Sequence, residues 1–179
     1  MTSQQELTDA RNARFMNLLQ PVYGDCQRWA YTLTGNQVDA EDVLEDGILT
    51  ALKSFHQLKN EDAFKTWMFR ILRTSALQRH RRASPAELLE PVELDRQAPG
   101  RESGIAQRET AELVHGCLAK LAPEQRMALE LFELHELSIR EVAQVMGKAE
   151  TAVRVQLHRA RIRMAEMLRE AGLDPGVVE

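Results

Sequence analysis

Between Ser138 and Val153 several constraints fall at fixed offsets and leave the chain few ways to fold there. Ser138-Ile139-Arg140-Glu141 has the form of a capping box. The Ser hydroxyl accepts from the third residue's amide, and the Glu carboxylate reaches back to the Ser amide. A short helix from Ile139 to about Met146 is expected. Gly147 follows, where a left-handed backbone would cost any other residue. A second helix begins near Glu150. Ala143 is small enough for that helix to cross closely, and Val153 is a branched apolar residue facing back. Ala, Gly and Val at these offsets describe two helices crossing through a short turn, a helix-turn-helix. The competing reading is a plain helical hairpin.

On a wheel of about 100° per residue, Val153, Leu157, Ala160, Met164 and Met167 share the core face of the second helix. Arg154, His158, Arg161 and Arg169 form a stripe on one side, Arg159 and Arg163 lie on the other, and Val155 and Ile162 point away from the core. A solvated face is the ordinary explanation for such a charge-rich helix. Here few acids compensate before Glu166, and this is the helix that such a motif inserts into DNA. Arginines there can grip phosphate or take guanine O6 and N7 together.

The chain as a whole is acidic, with formal net charge −4, so charge has to be read by segment. Residues 84–104, "SPAELLEPVELDRQAPGRESG", hold three prolines and two glycines, with five acids against two arginines. They read as a flexible acidic linker. Before it, "DAEDVLEDGILTALKSF" aligns Val43, Leu44, Gly47, Ile48, Ala51, Leu52 and Phe55 on one apolar face, with Asp39 as N-cap and Asp42, Glu45, Asp46 and Thr50 on the other side. "DAFKTWMFRILRTSALQRHRR" follows, with Phe64, Trp67, Met68, Ile71 and Ser75 as its apolar face. It has no acid between Phe64 and Arg82. An acidic helix thus precedes a basic one. After the linker, "AQRETAELVHGCLAKL" is amphipathic through Leu113, Cys117 and Leu121. "APEQRMALELFELHE" has Pro123 at a first-turn position and Met127, Leu131 and Leu134 repeating.

Strand signals are sparse. The fold class expected is all-α, two small helical domains joined by the linker, the C-terminal one a helix-turn-helix. Borders fall at 1–83, 84–105 and 106–179. A composition 44% hydrophobic and 28% charged argues against wholesale disorder. No apolar run reaches the length of a membrane span, and no secretory signal opens the chain, so a cytoplasmic location is expected. Cys26 and Cys117 lie far apart, and the histidines show no zinc spacing; His115 and Cys117 read as half-buried helix residues rather than ligands. Phosphate loops and hydrolase motifs are absent, so no catalytic residue, metal or cofactor is expected.

The sequence resembles the bacterial sigma factors of the extracytoplasmic-function group, from about Phe15 to Leu168 without the linker. "WAYTLTGNQVDAEDVLEDGILTALKSF" with "AFKTWMFRILRTSALQRHRR" resembles the family's domain for core polymerase and the promoter −10 element. "LAPEQRMALELFELHELSIREVAQVMGKAETAVRVQLHRARIRMAEML" resembles its −35-binding domain. The resemblance implies docking on the polymerase through Asp42, Glu45 and Asp46. It implies capture of the −10 strand by Lys65, Trp67, Arg70 and Arg73, with Arg79 tracking backbone. An aromatic beside cations suits single-strand binding, although Trp67 equally fits core packing. In the −35 domain Thr151, Arg154, Val155, His158, Arg159, Arg161 and Arg163 are the implied DNA residues. The implied partners are core RNA polymerase through its β′ and β subunits, promoter DNA and an anti-sigma factor. No direct membrane insertion is implied, and the bacterial chain is nucleoid-associated when bound to polymerase.

The chain departs from the family pattern at several points. Gly47 stands where this group usually has a bulkier residue. Ala149 replaces a Ser cap, at a cost of ~1 kcal/mol. Lys148 replaces an apolar turn residue, and Ala152, Val155 and Gln156 replace Thr, Ser and Arg. Three rivals are a stand-alone helix-turn-helix regulator, a helical interaction protein with no DNA role, and a metal-dependent enzyme. The first leaves residues 39–82 unexplained, and the second does not need the arginines.

Overall fold

The computed structural model describes residues 2–83 and 105–173. They form eight α-helices, with no strand among the described residues: α1 (Thr2–Leu19), α2 (Tyr23–Thr34), α3 (Gln37–Ser54), α4 (Phe64–Ala83), α5 (Ile105–Ala119), α6 (Pro123–Leu129), α7 (Ile139–Met146) and α8 (Glu150–Glu170). Two compact units divide the chain, Met1–Val92 and Glu93–Glu179. The all-α, two-domain expectation therefore holds. The expected linker lies outside the described residues, apart from Ile105, which already opens α5.

In the first unit α2, α3 and α4 pack on one another. Trp29 joins α2 to α4. Its ring stacks on Phe69 with centroids 5.6 Å apart, and its Nε1–H donates to the Phe69 carbonyl over 3.1 Å. The polar tip of a wholly buried indole is thus satisfied. Phe15, Phe55 and Phe64 form an edge-to-face cluster with centroids 5.4–6.4 Å apart, which ties α1 to the α3–α4 connection.

Two details of this unit correct the sequence reading. Asn36, not Asp39, caps α3: its side-chain oxygen accepts from the Asp39 amide over 2.9 Å. Gly35, at φ 78°, has closed α2 one residue earlier, so the next helix starts as soon as the chain is extended again. Asn caps as well as Asp there. The buried stripe of α4 is Phe64, Met68, Phe69 and Leu72, while Trp67, Ile71 and Ser75 are only half-buried. α4 is wedged against α2 and α3 together, so Phe69 turns to Trp29 and Leu72 to Gly47.

In the second unit α8 packs along α6, α7 and α5 and buries Val153, Leu157, Ala160 and Met167. The helix-turn-helix closes as expected. Both capping-box bonds form at Ser138, and Gly147 sits at φ 66°. Pro123 opens α6. The Met127–Leu131–Leu134 repeat does not hold: Leu131 is wholly buried but Leu134 is exposed. Residues Glu130–Leu134 form a π turn, whose extra residue shifts the helical phase. His135 and Leu137, both buried, then bring the chain back to the core.

Candidate protein- and nucleic-acid-binding faces

The acidic residues singled out on α3 share one side of that helix. Glu45 and Asp46 are exposed and Asp42 is half-buried. Leu49, one turn on, is 47% exposed beside them. Val43, Leu44, Gly47 and Ala51 face the opposite way into the core, so burial itself aims the carboxylates outward.

Asp42 is not solitary. Arg79 Nη2 donates to Asp42 Oδ2 over 2.6 Å, and Nε and Nη2 both donate to Asp39 Oδ1, over 3.2 and 3.0 Å. Asn36 Nδ2 donates to the second Asp39 oxygen over 2.7 Å. Asn36 first, then Arg79, holds the Asp39 carboxyl below the usual carboxylate range. Asp39 and Asp42 raise Arg79 in turn, so it stays charged. The sequence reading gave Asp42 to one surface and Arg79 to another; the fold brings them together.

The remaining α4 residues are differently held. Lys65 Nζ lies 2.8 Å from Asp25 and 5.9 Å from the Phe69 ring centre. Trp67 is half-buried, with its ring 5.9 Å from Phe64 and 6.5 Å from Phe55. It serves as the outer wall of the aromatic cluster and keeps part of its ring in solvent. Arg70 is exposed, with no ion pair among the described residues, and Arg73 is half-buried.

On α8, Thr151, Arg154, Val155, His158, Arg159, Arg161 and Arg163 are all exposed. Few compensating acids were expected before Glu166, but Glu150 on the helix and Glu133 from outside it also meet its arginines. Arg154 lies 3.7 Å from Glu150, and Arg163 lies 3.1 Å from Glu166. Arg161 donates through Nε and Nη2 to Glu133 Oε1, over 3.2 and 2.6 Å, with its guanidinium 5.3 Å from the Phe132 ring centre. Among the described residues, Arg159 and Arg169 have no ion pair. Ala149 caps α8 without a side-chain bond. Two departures share one partner: Lys148 Nζ lies 2.5 Å from Glu124 Oε1, and Gln156 Nε2 donates to Glu124 Oε2 at 3.5 Å.

The acids that meet these cations, Asp25, Asp39, Glu124 and Glu133, were not singled out from sequence as partners. Spacing along the chain carries no signal for them, because each comes from another element. On α8, Glu150, four residues before Arg154, and Glu166, three after Arg163, were readable as helical pairs.

The Sigma-70 region 2 family model matches residues 18–85, and the Sigma-70 region 4 model matches residues 111–164. The ECF RNA polymerase sigma factor SigM of Mycobacterium tuberculosis is 32% identical over 159 residues, covering 86% of this chain and 76% of its own. The RNA polymerase sigma factor SigV of Bacillus subtilis is 24% identical over 136 residues, covering 76% and 80%. Among solved structures, the sigma factor RpoE of Bartonella quintana, in complex with the anti-sigma factor NepR, superposes with TM-score 0.70 at 22% identity, over 87% of this chain and 97% of that one. CnrH, in complex with the cytosolic domain of CnrY, gives 0.65 at 22% identity, over 93% and 94%. These two likenesses speak to the fold alone. The paired family regions, in this order, and the SigM relationship decide the lineage: the chain belongs to the extracytoplasmic-function RNA polymerase sigma factors, which bind the core enzyme and direct initiation at promoters.

Proposed function

We propose that the three charged helices divide the work of this sigma factor. The exposed face of α3, with Asp42, Glu45 and Asp46, docks on the β′ subunit of core polymerase. α4 holds the opened −10 strand through Lys65, Trp67, Arg70, Arg73 and Arg79. α8 enters the major groove of the −35 element, with Arg154, Val155 and His158 nearest the bases. Thr151, Arg159, Arg161 and Arg163 are set along the phosphates. Residues 1–83 and 106–179 are the two working domains, with 84–105 between them. The chain performs no catalytic step of its own; phosphodiester chemistry belongs to the core enzyme. It acts in the cytoplasm, on the nucleoid when bound to polymerase, and an anti-sigma factor is its natural inhibitor, as NepR is found bound to the Bartonella protein. No helix among the described residues is long and apolar enough to cross a membrane.

One observation carries this reading: charge is segregated by helix and aimed by burial. α3 turns carboxylates outward from an apolar face, whereas α8 turns cations outward from its own. Reconstitution with core polymerase tests it. Glu45→Arg with Asp46→Arg should abolish co-purification with the core enzyme while helicity is kept. Co-purification at the unsubstituted level would sink the docking assignment. Promoter fragments selected by the reconstituted enzyme would then report the −10 and −35 preferences.

A further inference from the structure

The contact between Asp42 and Arg79 joins two surfaces with different partners. Arg79 is one cation between two carboxylates, so these three groups together carry net negative charge. A phosphate approaching it competes with both Asp39 and Asp42. Asp39 is fixed: its second oxygen is held by Asn36 over 2.7 Å and its amide is the one capped at the start of α3. Asp42 has no such second anchor among the bonds described, and it shares an exposed side of α3 with Glu45 and Asp46. Of the two acids on Arg79, Asp42 is therefore the one a basic partner can draw away.

We propose that Asp42 is a shared carboxylate: in the free chain it masks Arg79 against nucleic acid, and docking of α3 on polymerase withdraws it and releases Arg79 to take phosphate. Asp39 remains as the positioning residue that keeps the guanidinium on the surface of α4. Polymerase docking and DNA-strand binding are then coupled through one side chain, within a single helical unit. The coupling rests on the docking and −10 assignments above. Its physical basis is competition: an ion pair this exposed is weak enough for a partner to open. Removing an acid from beside a phosphate-binding arginine strengthens nucleic-acid binding electrostatically.

The test measures binding of a fluorescein-labelled single-stranded oligonucleotide of randomised sequence, at low salt, by anisotropy. In the free full-length chain, Asp42→Asn should tighten binding several-fold. Asp46→Asn removes the same charge from the same helix without touching Arg79, and should change it by less than about twofold. In the Arg79→Gln background, Asp42→Asn should give no gain beyond that of Asp46→Asn. Equal gains from Asp42→Asn and Asp46→Asn, or a gain that persists without Arg79, would overturn the proposal. In reconstituted holoenzyme, Arg79→Gln should weaken binding several-fold, and by more than it does in the free chain. No effect of Arg79→Gln in holoenzyme removes Arg79 from the −10 assignment and the coupling with it. An effect there with no special gain from Asp42→Asn in the free chain removes the coupling alone. Circular dichroism of each variant confirms that the helices are intact.

Discussion

Gly47 in α3 and Leu72 in α4 meet so closely that a Cβ on the glycine would fall 2.5 Å from the leucine Cδ2. Leu72 is wholly buried, so its side chain has little room to turn aside. This explains a residue that looked out of place for its group: a bulkier side chain at 47 would need α4 to stand further off. Two effects compete in Gly47→Ala. Helix propensity favours Ala by ~1 kcal/mol, and overpacking costs ~1–3 kcal/mol. The wholly buried contact decides for overpacking, so a net loss of ~1 kcal/mol is expected. It should appear as a lower urea midpoint at unchanged slope. Leu72→Ala alone should cost ~2–5 kcal/mol. With both changes the new methyl fills part of the vacated space, so the double variant should lose less than the sum. Strict additivity would refute the contact.

The cap of α8 offers the opposite change. Ala149 has an extended backbone, φ −71° and ψ 147°, and no side-chain bond to the helix. Ala149→Ser puts a hydroxyl where the free amides of the first turn need an acceptor. A gain of about 1 kcal/mol is expected, read as a higher thermal midpoint. An unchanged or lower midpoint would mean that the turn already satisfies those amides.

Asp39 sets a direction for stability against pH. Its carboxyl is held below the usual range by the Asn36 side chain first and Arg79 second. The folded state therefore prefers the ionised form more than the unfolded chain does. The resulting stability is complete above the unfolded value of about 4 and is lost as pH falls through the lower folded value. Asp39→Asn should lower the thermal midpoint at pH about 6 and lower it much less at pH about 2.5. Equal differences at the two pH values would show that the carboxylate charge contributes nothing.

The helix-turn-helix was legible because its determinants are local. Ser138, Glu141, Gly147 and Val153 lie within one short segment, and each acts through a backbone bond or a neighbouring turn. The apolar face of α3 was legible for the same reason. The partners of the cations were not. Lys65 meets Asp25, Arg79 meets Asp39, and Arg161 meets Glu133, at separations of 40, 40 and 28 residues. These pairs exist only once helices from different parts of the chain are packed. The α4 stripe was misjudged by about one residue for a related reason: α4 faces two neighbours, and its wheel alone cannot say how it divides between them. Leu134 left the core because a π turn broke a repeat that a regular helix would have kept.

Arg154 and Arg161 lie on the same stripe of α8 but are held differently, and this separates their expected roles. Arg154 has only a 3.7 Å contact with Glu150 on its own helix, so its guanidinium is free to turn toward bases near the helix start. Arg161 is fixed across to Glu133 and over Phe132, two turns further along. A guanidinium so held suits a phosphate at fixed register rather than a base edge. Arg154→Ala should therefore relax the −35 preference at one base pair by ~1–3 kcal/mol. Arg161→Ala should weaken binding evenly across sequences. Glu133→Gln, which loosens Arg161 and removes an acid, should strengthen binding evenly. Holoenzyme binding to a promoter library randomised over the −35 element measures all three. If Arg161→Ala shifts the preference and Arg154→Ala does not, base reading belongs further along α8 than its first turns.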